Sequence, residues 1–278
     1  MKSGAQISWL PDGKRLHMHH GPIDLIVEIW GSGKAQAYQR AAFRFQSILE
    51  ELVEELPELR RPAVVQARFK GAIAAAMQNA VVRHLPEFVT PMAAVAGAVA
   101  DEIASVIAET PKVQKAYVNN GGDIALVLGT YETLTADVGG GVGRATLHGA
   151  SEIRGIATSG WRGRSLSFGI ADAVTVLASS AALADVAATL VGNAVDLPDD
   201  GSITRAPAES QNLDSDLGHR SVTVAVPSLS DADVATALGR GRDFAEGLGA
   251  AHGVWGGMLT LQGQVITFGE LSLSNTIK

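Results

Sequence analysis

The chain has 278 residues, of which 46% are hydrophobic and 18% are charged, so it contains enough apolar side chains for a sizeable core. Its formal net charge of −7 argues against a nucleic-acid backbone as partner, because such binding needs clustered Lys and Arg. The absence of cysteine excludes disulfides, thiolate nucleophiles and thiolate metal sites.

We expect a soluble, cytoplasmic protein. The first residues are not followed by the apolar run of a signal peptide. Charged residues and glycines interrupt the apolar stretches before they reach roughly 18 residues, the length of a membrane-spanning helix. No membrane partner is therefore expected.

The first thirty residues consist of β-branched and apolar segments separated by turn residues. Strands are predicted at Gln6–Leu10, Arg15–His20 and Ile23–Trp30. The sequence Pro-Asp-Gly at 11–13 favours a tight turn, because proline fixes φ and glycine supplies a positive φ.

Three helices are predicted next. The apolar residues of the first recur at helical spacing on one face, at Phe45, Ile48, Leu49, Leu52 and Leu56. Pro57 and Pro62 are expected to bound this helix. The Ala-rich segments Ala72–Val82 and Met92–Ile107 form the other two, and their small side chains suit close packing.

The rest of the chain mixes short strands with two helices. The predicted strands are Lys115–Val118, Ile124–Leu128, Thr133–Val138, Arg144–His148, Ile153–Thr158, Val174–Ala178, Ser221–Val226, Val254–Leu261 and Gln264–Phe268. The helices are Ala181–Ala194 and Asp231–Gly247, the second with Asp231 as its N-cap. Residues 202–218 are rich in Pro, Ser, Asp and Asn, which predicts a surface loop or lid.

This order of elements predicts an α+β protein with antiparallel sheets. A doubly wound parallel sheet is disfavoured, because long alternating βαβ units are missing. We treat residues 1–278 as a single domain. Strand pair, helices and strand pair occur twice in rough outline, so an internally duplicated β-α-β arrangement with two similar halves stays open.

One strand–helix segment contains the clearest chemical pattern. Asp185 and Thr189 are four residues apart in the predicted helix, and therefore lie on one face. A carboxylate, a hydroxyl and helix-start amides can hold Mg²⁺ and its bound phosphates, since hard cations take oxygen ligands. Alternatively, Asp185 complements the helix dipole and Thr189 bonds back to a carbonyl.

Two strand ends are also suited to a ligand. In the segment Asn119-Asn120-Gly121-Gly122-Asp123, two glycines let the backbone approach a bound molecule. Thr158-Ser159-Gly160 places two hydroxyls where they can bond phosphate or ribose oxygens. Arg162 and Arg164 follow, and their guanidinium groups suit phosphate or carboxylate. The alternatives are an ordinary hairpin turn, an ordinary strand end and a solvated hairpin tip.

In the same order along the chain, these segments resemble the ApbE-like (FAD:protein FMN transferase) superfamily. Residues 174–190, VTVLASSAALADVAATL, resemble its motif SVTV-x-A-x-x-A-x-x-ADA-x-x-TA. YVNNGGDI at 117–124 resembles LVNxGGDI, and GIATSG at 155–160 resembles xVATSG. AGAVADEI at 96–103 resembles KGYAVDxI without its lysine. The whole chain is most similar to a small cytoplasmic branch. The resemblance implies a T-fold-like architecture, with helices packed on one side of antiparallel sheets.

The resemblance also implies a cofactor site. Asp185 and Thr189 would hold Mg²⁺ together with a main-chain oxygen, which we place at the carbonyl around Val95. In the family, the metal bridges the FAD pyrophosphate while FMN moves to a protein Ser or Thr. Residues 119–123 and 158–160, with Arg162 and Arg164, are then expected to line the nucleotide pocket.

The chain departs from the transferases between two of these motifs. They have HxIDPxTG there, with a histidine suited to act as base. Here residues 161–172 read WRGRSLSFGIAD, and no histidine lies from Glu152 to Leu217. Asp172 stands for the motif's Asp and is the candidate catalytic residue.

Two functions are therefore expected. The first is a Mg²⁺-dependent enzyme that binds FAD or FMN and acts at a pyrophosphate or phosphate ester. The second is a non-catalytic protein that binds a flavin or another small anion in the same pocket.

Overall fold

The structure is a computed structural model that describes residues 4–163, 165–269 and 273–274. Arg164 lies outside the described residues. The chain divides into two compact units. The first comprises Met1–Leu134, Leu147–Ala157 and Ala178–Asp185, and the second comprises Thr135–Thr146, Thr158–Leu177 and Val186–Lys278. That the whole chain is one domain with two similar halves stays a prediction.

The secondary structure follows the predicted order. The strands are β1 Gln6–Trp9, β2 Leu16–His20, β3 Ile23–Gly31, β4 Val113–Asn120, β5 Asp123–Leu128, β6 Thr133–Val138, β7 Gly143–His148, β8 Gly155–Ser159, β9 Ala173–Ala178, β10 Thr204–Pro207, β11 Ser221–Ala225, β12 Val254–Leu261, β13 Gln264–Gly269 and β14 Leu273–Ser274. The α-helices are α1 Lys34–Leu59, α2 Ala72–Val81, α3 Val95–Ala108, α4 Ala181–Ala194, α5 Ala208–Gln211 and α6 Asp231–Leu248.

The first unit contains an antiparallel sheet in the order β1-β2-β3-β4-β5-β8. Residues of β2 and β3 alternate between buried and half-buried, as expected for a sheet covered on one face. Helices α1 and α3 pack against these strands and against each other. The α+β class with antiparallel sheets is confirmed.

Helix α1 buries one apolar face and is longer than its prolines suggest. Phe45, Ile48 and Leu52 are buried on that face, as predicted. Pro57 lies inside the helix, which ends at Leu59, so the prediction that Pro57 bounds it is wrong. A proline this close to the C-terminus removes one backbone hydrogen bond without preventing the last turn.

The second unit contains the hairpin β12/β13, against which α6 packs. Gln262 and Gly263 form its turn with positive φ angles of 44° and 84°, in agreement with prediction. The N-cap of α6 is Ser230 rather than Asp231, because the Ser230 hydroxyl accepts the amide hydrogen of Asp233. Within 202–218, predicted as a loop or lid, the structure forms β10 and the single turn α5.

One apolar segment is long enough to cross a membrane by length and composition alone. It is the window Pro91–Ala108, which ends with α3 and has a mean hydropathy of 1.5. Half of this window is buried within the protein. Core helices of soluble proteins can have the same length and apolar composition, so this segment is weak evidence for a membrane span.

Candidate functional site

Asp185 lies in the second turn of α4, and its carboxylate faces the N-terminus of α3. Its Oδ2 accepts a hydrogen bond of 3.0 Å from the Gly97 amide, and the Ala96 amide also donates to this carboxylate. The residue before α3, Ala94, has no side chain that could cap the helix. Asp185 therefore satisfies first-turn amides of α3 in its place.

A second acidic residue makes the reverse contact. The carboxylate oxygens of Asp101, on α3, accept hydrogen bonds of 2.9 Å from the amides of Ala181 and Ala182 at the start of α4. The Ser180 hydroxyl accepts from the Leu183 amide of the same first turn. Burial raises the pKa of Asp101 although these amides act against the rise. Sequence analysis did not assign Asp101 to the site, although Asp101 is the first acid of the segment AGAVADEI, at the position of the Asp in KGYAVDxI.

The two helix starts touch through backbone atoms. A β-carbon added at Gly97 would lie 2.2 Å from the carbonyl oxygen of Ala181, so only glycine fits at this point. The close approach places the carboxylates of Asp101 and Asp185 at opposing helix N-termini, where the helix dipole favours negative charge.

The electrostatics of Asp185 are nevertheless unfavourable to its charge. The residue is half-buried, and the protein packed around its carboxyl group is the largest cause that raises its pKa well above 3.8. The negative charge of Asp123 adds to the rise, while the amides of Gly97 and Ala96 oppose it. Two carboxyl groups in this arrangement form a place where a bound cation would be favourable.

The glycine-rich turn between β4 and β5 is largely occupied by its own hydrogen bonds. The Asn119 side chain accepts from the Gly122 amide, and Asn120 donates to the Ala96 carbonyl at 3.1 Å. Gly121 and Gly122 have positive φ angles of 65° and 118°. The turn thus has ordinary hairpin geometry, and it also anchors β4 to the start of α3, beside Asp185.

Several predicted residues of the second unit are engaged with each other. The hydroxyls of Thr158 and Thr175 are 2.8 Å apart. A β-carbon at Gly160 would lie 2.4 Å from the Asp172 carbonyl oxygen, so glycine is required by packing. The carboxylate of Asp172 accepts from the Gln262 amide at 2.6 Å and pairs with Arg162 Nε at 3.0 Å. Both Asp172 oxygens therefore already have partners.

Arg162 is exposed but not isolated. Its side chain is 63% exposed, pairs with Asp172, and stacks over the Trp161 ring with 4.6 Å between the guanidinium carbon and the ring centroid. An anion at this position would compete with Asp172 for the guanidinium group.

Two predicted hydroxyls remain available. Thr189 is half-buried on α4, and Ser159 is half-buried at the end of β8. Over the described part of the chain, neither hydroxyl has a hydrogen-bond partner. The alternative in which Thr189 bonds back to a helix carbonyl is therefore not observed. Among the described residues, no group of three or more His, Cys, Asp and Glu side chains could by itself hold a metal.

A solved structure gives one comparison, with apo flavinyl transferase ApbE from Pseudomonas stutzeri. The identity is 12%, and the match covers 95% of this chain and 94% of that one. Its TM-score of 0.43 is too low to support an argument about the fold or the activity of this chain.

Archaeal relatives are more similar in sequence. A UPF0280 protein of Methanothermobacter thermautotrophicus is 32% identical over 200 residues, which cover 69% of this chain and 74% of that protein. A UPF0280 protein of Methanococcus vannielii is 38% identical over 134 residues, which cover 45% and 53%. A UPF0280 protein of Methanospirillum hungatei is 35% identical over 143 residues, which cover 48% of this chain and 57% of that protein. The chain thus spans about half the length of the last two relatives.

The family model described as "AbpE bacteria" matches residues 7–267, which is nearly the whole chain. The match includes every predicted site residue. The chain therefore belongs to this bacterial family of the ApbE-like superfamily.

Proposed function

We propose that the protein binds a flavin nucleotide, FAD or FMN, through a Mg²⁺ ion held at Asp185, and that it acts at the pyrophosphate or a phosphate ester. The observation that supports this most is the environment of Asp185. Its carboxyl group lies near Asp123, is surrounded by protein, and has its pKa raised by both. A bound cation would offset that unfavourable charge and restore the ionised form.

The available donors suit a hard cation. Asp185 offers a carboxylate oxygen, Thr189 a hydroxyl without a partner in the described chain, and the backbone near Val95 a carbonyl. Oxygen-only ligand sets of this kind fit Mg²⁺ better than zinc, which takes His and Cys. When bound, Mg²⁺ would neutralise charge on a phosphoryl oxygen and polarise it.

The remaining predicted residues would orient the nucleotide. Ser159 offers its hydroxyl to a phosphate or ribose oxygen, and the turn 119–123 brings backbone rather than bulky side chains towards a ligand. Asn119 and Asn120 would act through the turn that they hold in place, since their side chains already bond the backbone. Arg162 would contact a phosphate only by leaving Asp172.

A second function is favoured by the state of Asp172. Both its oxygens are engaged, and no histidine lies from Glu152 to Leu217, so a ready general base is missing from this segment. A protein that binds a flavin or another small anion without transferring it fits this observation. In the enzyme, Asp172 would have to release Arg162 before it could take a proton.

Calorimetric titration of Mg²⁺ and FAD tests the proposal. We expect wild-type protein to bind FAD only with Mg²⁺ present, and we expect Asp185→Asn to lose this Mg²⁺-dependent binding of FAD. The variant should still fold, because its amide oxygen can still accept from α3. Asp200→Asn, at a surface turn, is the matched control and should bind as wild type does. Equal binding by Asp185→Asn and wild type would contradict the metal site. Chromatography of the FAD mixture, with an acceptor protein added, then separates the two functions, since AMP is released only when the pyrophosphate is cleaved and FMN passes to water or to a protein hydroxyl.

A further inference from the structure

A cavity of about 640 Å³ lies in the first unit, between the β1–β3 strands and the start of α1. Its walls include Ile7 and Trp9 of β1 and Tyr38 and Ala42 of α1, and Lys14 and Lys34 also line it. None of its lining residues belongs to the predicted flavin site. Cavities of roughly 300–1,000 Å³ with apolar walls and a few polar groups are typical ligand sites.

The apolar wall is held in a fixed geometry. Tyr38 is buried, and its hydroxyl accepts from the Ile29 amide at 3.0 Å and donates to the Lys14 carbonyl at 2.7 Å. The Trp9 ring packs edge-on against Tyr38 with 4.8 Å between the ring centroids. Trp9 is nonetheless 53% exposed, which leaves one side of a large aromatic ring uncovered at this cavity.

The charges at the cavity favour an anion. Within the described residues, the ammonium groups of Lys14 and Lys34 have neither an ion pair nor a side-chain hydrogen bond. Glu28 also lines the cavity, and its carboxylate faces the Tyr117 hydroxyl at 3.4 Å. Two such cations against one carboxylate make a locally positive site in a protein of net charge −7.

We propose that this cavity binds a small organic anion with a planar apolar ring, of the aryl carboxylate class. The ring lies against Trp9 and Tyr38, and the carboxylate meets the ammonium groups of Lys14 and Lys34. This site does not depend on the proposed flavin function, because it uses neither Mg²⁺ nor Asp185.

Titration with naphthalene-2-carboxylate, followed by calorimetry, tests the site. We expect saturable binding to wild type, and a Kd at least about tenfold higher in the double variant Lys14→Gln/Lys34→Gln, because charge-assisted bonds are lost. Lys70→Gln, at an exposed lysine outside the lining, should leave the Kd unchanged. Naphthalene-2-methanol, which is uncharged, should bind wild type and the double variant equally weakly.

A cavity-filling variant provides the second arm. Ala42→Phe should abolish binding, whereas Gln46→Phe, at an exposed position of the same helix outside the lining, should not. Circular dichroism establishes that each variant is folded. The proposal is overturned if wild type shows no saturable binding, if the double Gln variant binds as tightly as wild type, or if folded Ala42→Phe still binds.

Discussion

Asp101 and Asp185 each accept hydrogen bonds from the first turn of the helix that carries the other. Asp101, on α3, receives the amides of Ala181 and Ala182, and Asp185, on α4, receives those of Ala96 and Gly97. Each carboxylate thus sits at the positive end of the partner helix. The proposed metal ligand is therefore part of the contact that joins two helices, and its substitutions affect both stability and binding.

Asp101→Ala should destabilise the protein by about 1–3 kcal/mol, because two amides at the start of α4 lose their buried acceptor. Urea unfolding measures the change. Glu54→Ala, at an exposed acid on α1, should stay within about 0.5 kcal/mol of wild type. If Asp101→Ala lowers the unfolding free energy as little as this control does, then water replaces the carboxylate as acceptor of the two amides at no cost in stability.

Gly97→Ala should destabilise the protein by about 1–3 kcal/mol, because its methyl group would overlap the Ala181 carbonyl and force α3 and α4 apart. Thermal unfolding measures the effect. Gly239→Ala in α6 is the matched control, since a β-carbon there meets nothing within 4 Å. That control should stabilise the protein by about 0.5–1 kcal/mol through helix propensity alone. Similar shifts for both variants would contradict the close contact.

The order of strands and helices was predictable because it depends on local patterns. The spacing of Phe45, Ile48 and Leu52 indicated a buried helix face, and the Gln262-Gly263 turn indicated a hairpin. The predicted helix ends at Pro57 and Asp231 were wrong, because the exact end of a helix depends on which neighbouring groups satisfy its terminal amides and carbonyls.

The candidate site was predictable only in part. The position of Asp185 followed from its motif, whereas the role of Asp101 depends on amides that are 80 residues away along the chain. The same is true of Thr158 and Asp172, whose partners Thr175 and Gln262 come from other strands or turns. A pattern of residue types identifies a donor but not whether a distant backbone group has already taken it.

The unfolding free energy should respond to pH through Asp185. Because burial raises the pKa of Asp185 in the folded protein, its contribution to stability is fully present below the unfolded value of 3.8 and is lost as pH rises through the folded value. Asp185→Asn does not titrate, so the stability of this variant relative to wild type should increase between about pH 4 and pH 7. Urea unfolding in EDTA buffer measures this difference.

Below about pH 4, Asp200→Asn should give the opposite trend, whereas between about pH 4 and pH 7 its stability relative to wild type should stay nearly constant. Hydrogen bonds from Ser202 lower the pKa of Asp200, so the contribution of Asp200 is present above its unfolded pKa and is lost as pH falls.

Adding Mg²⁺ at pH 7 should then stabilise wild type and leave Asp185→Asn unchanged. A constant difference between Asp185→Asn and wild type across this range would exclude a raised pKa at Asp185.

The last prediction concerns Arg162, for whose guanidinium group Asp172 and an anionic ligand would compete. Because the side chain is 63% exposed, its ion pair contributes little to stability, and Arg162→Gln should change the unfolding free energy by no more than about 1 kcal/mol. If Arg162 binds a phosphate of the nucleotide, the same variant should weaken FAD binding about tenfold, since a charge-assisted hydrogen bond is lost. Asp172→Asn removes the competing carboxylate charge while its amide oxygen can still accept from Gln262, so it should bind FAD more tightly than wild type. Calorimetry measures the FAD affinity of both variants. Opposite changes in affinity would identify Arg162 as a residue that binds the ligand once its ion pair with Asp172 is broken. Unchanged affinity in both variants would show that the pair belongs only to the hairpin surface.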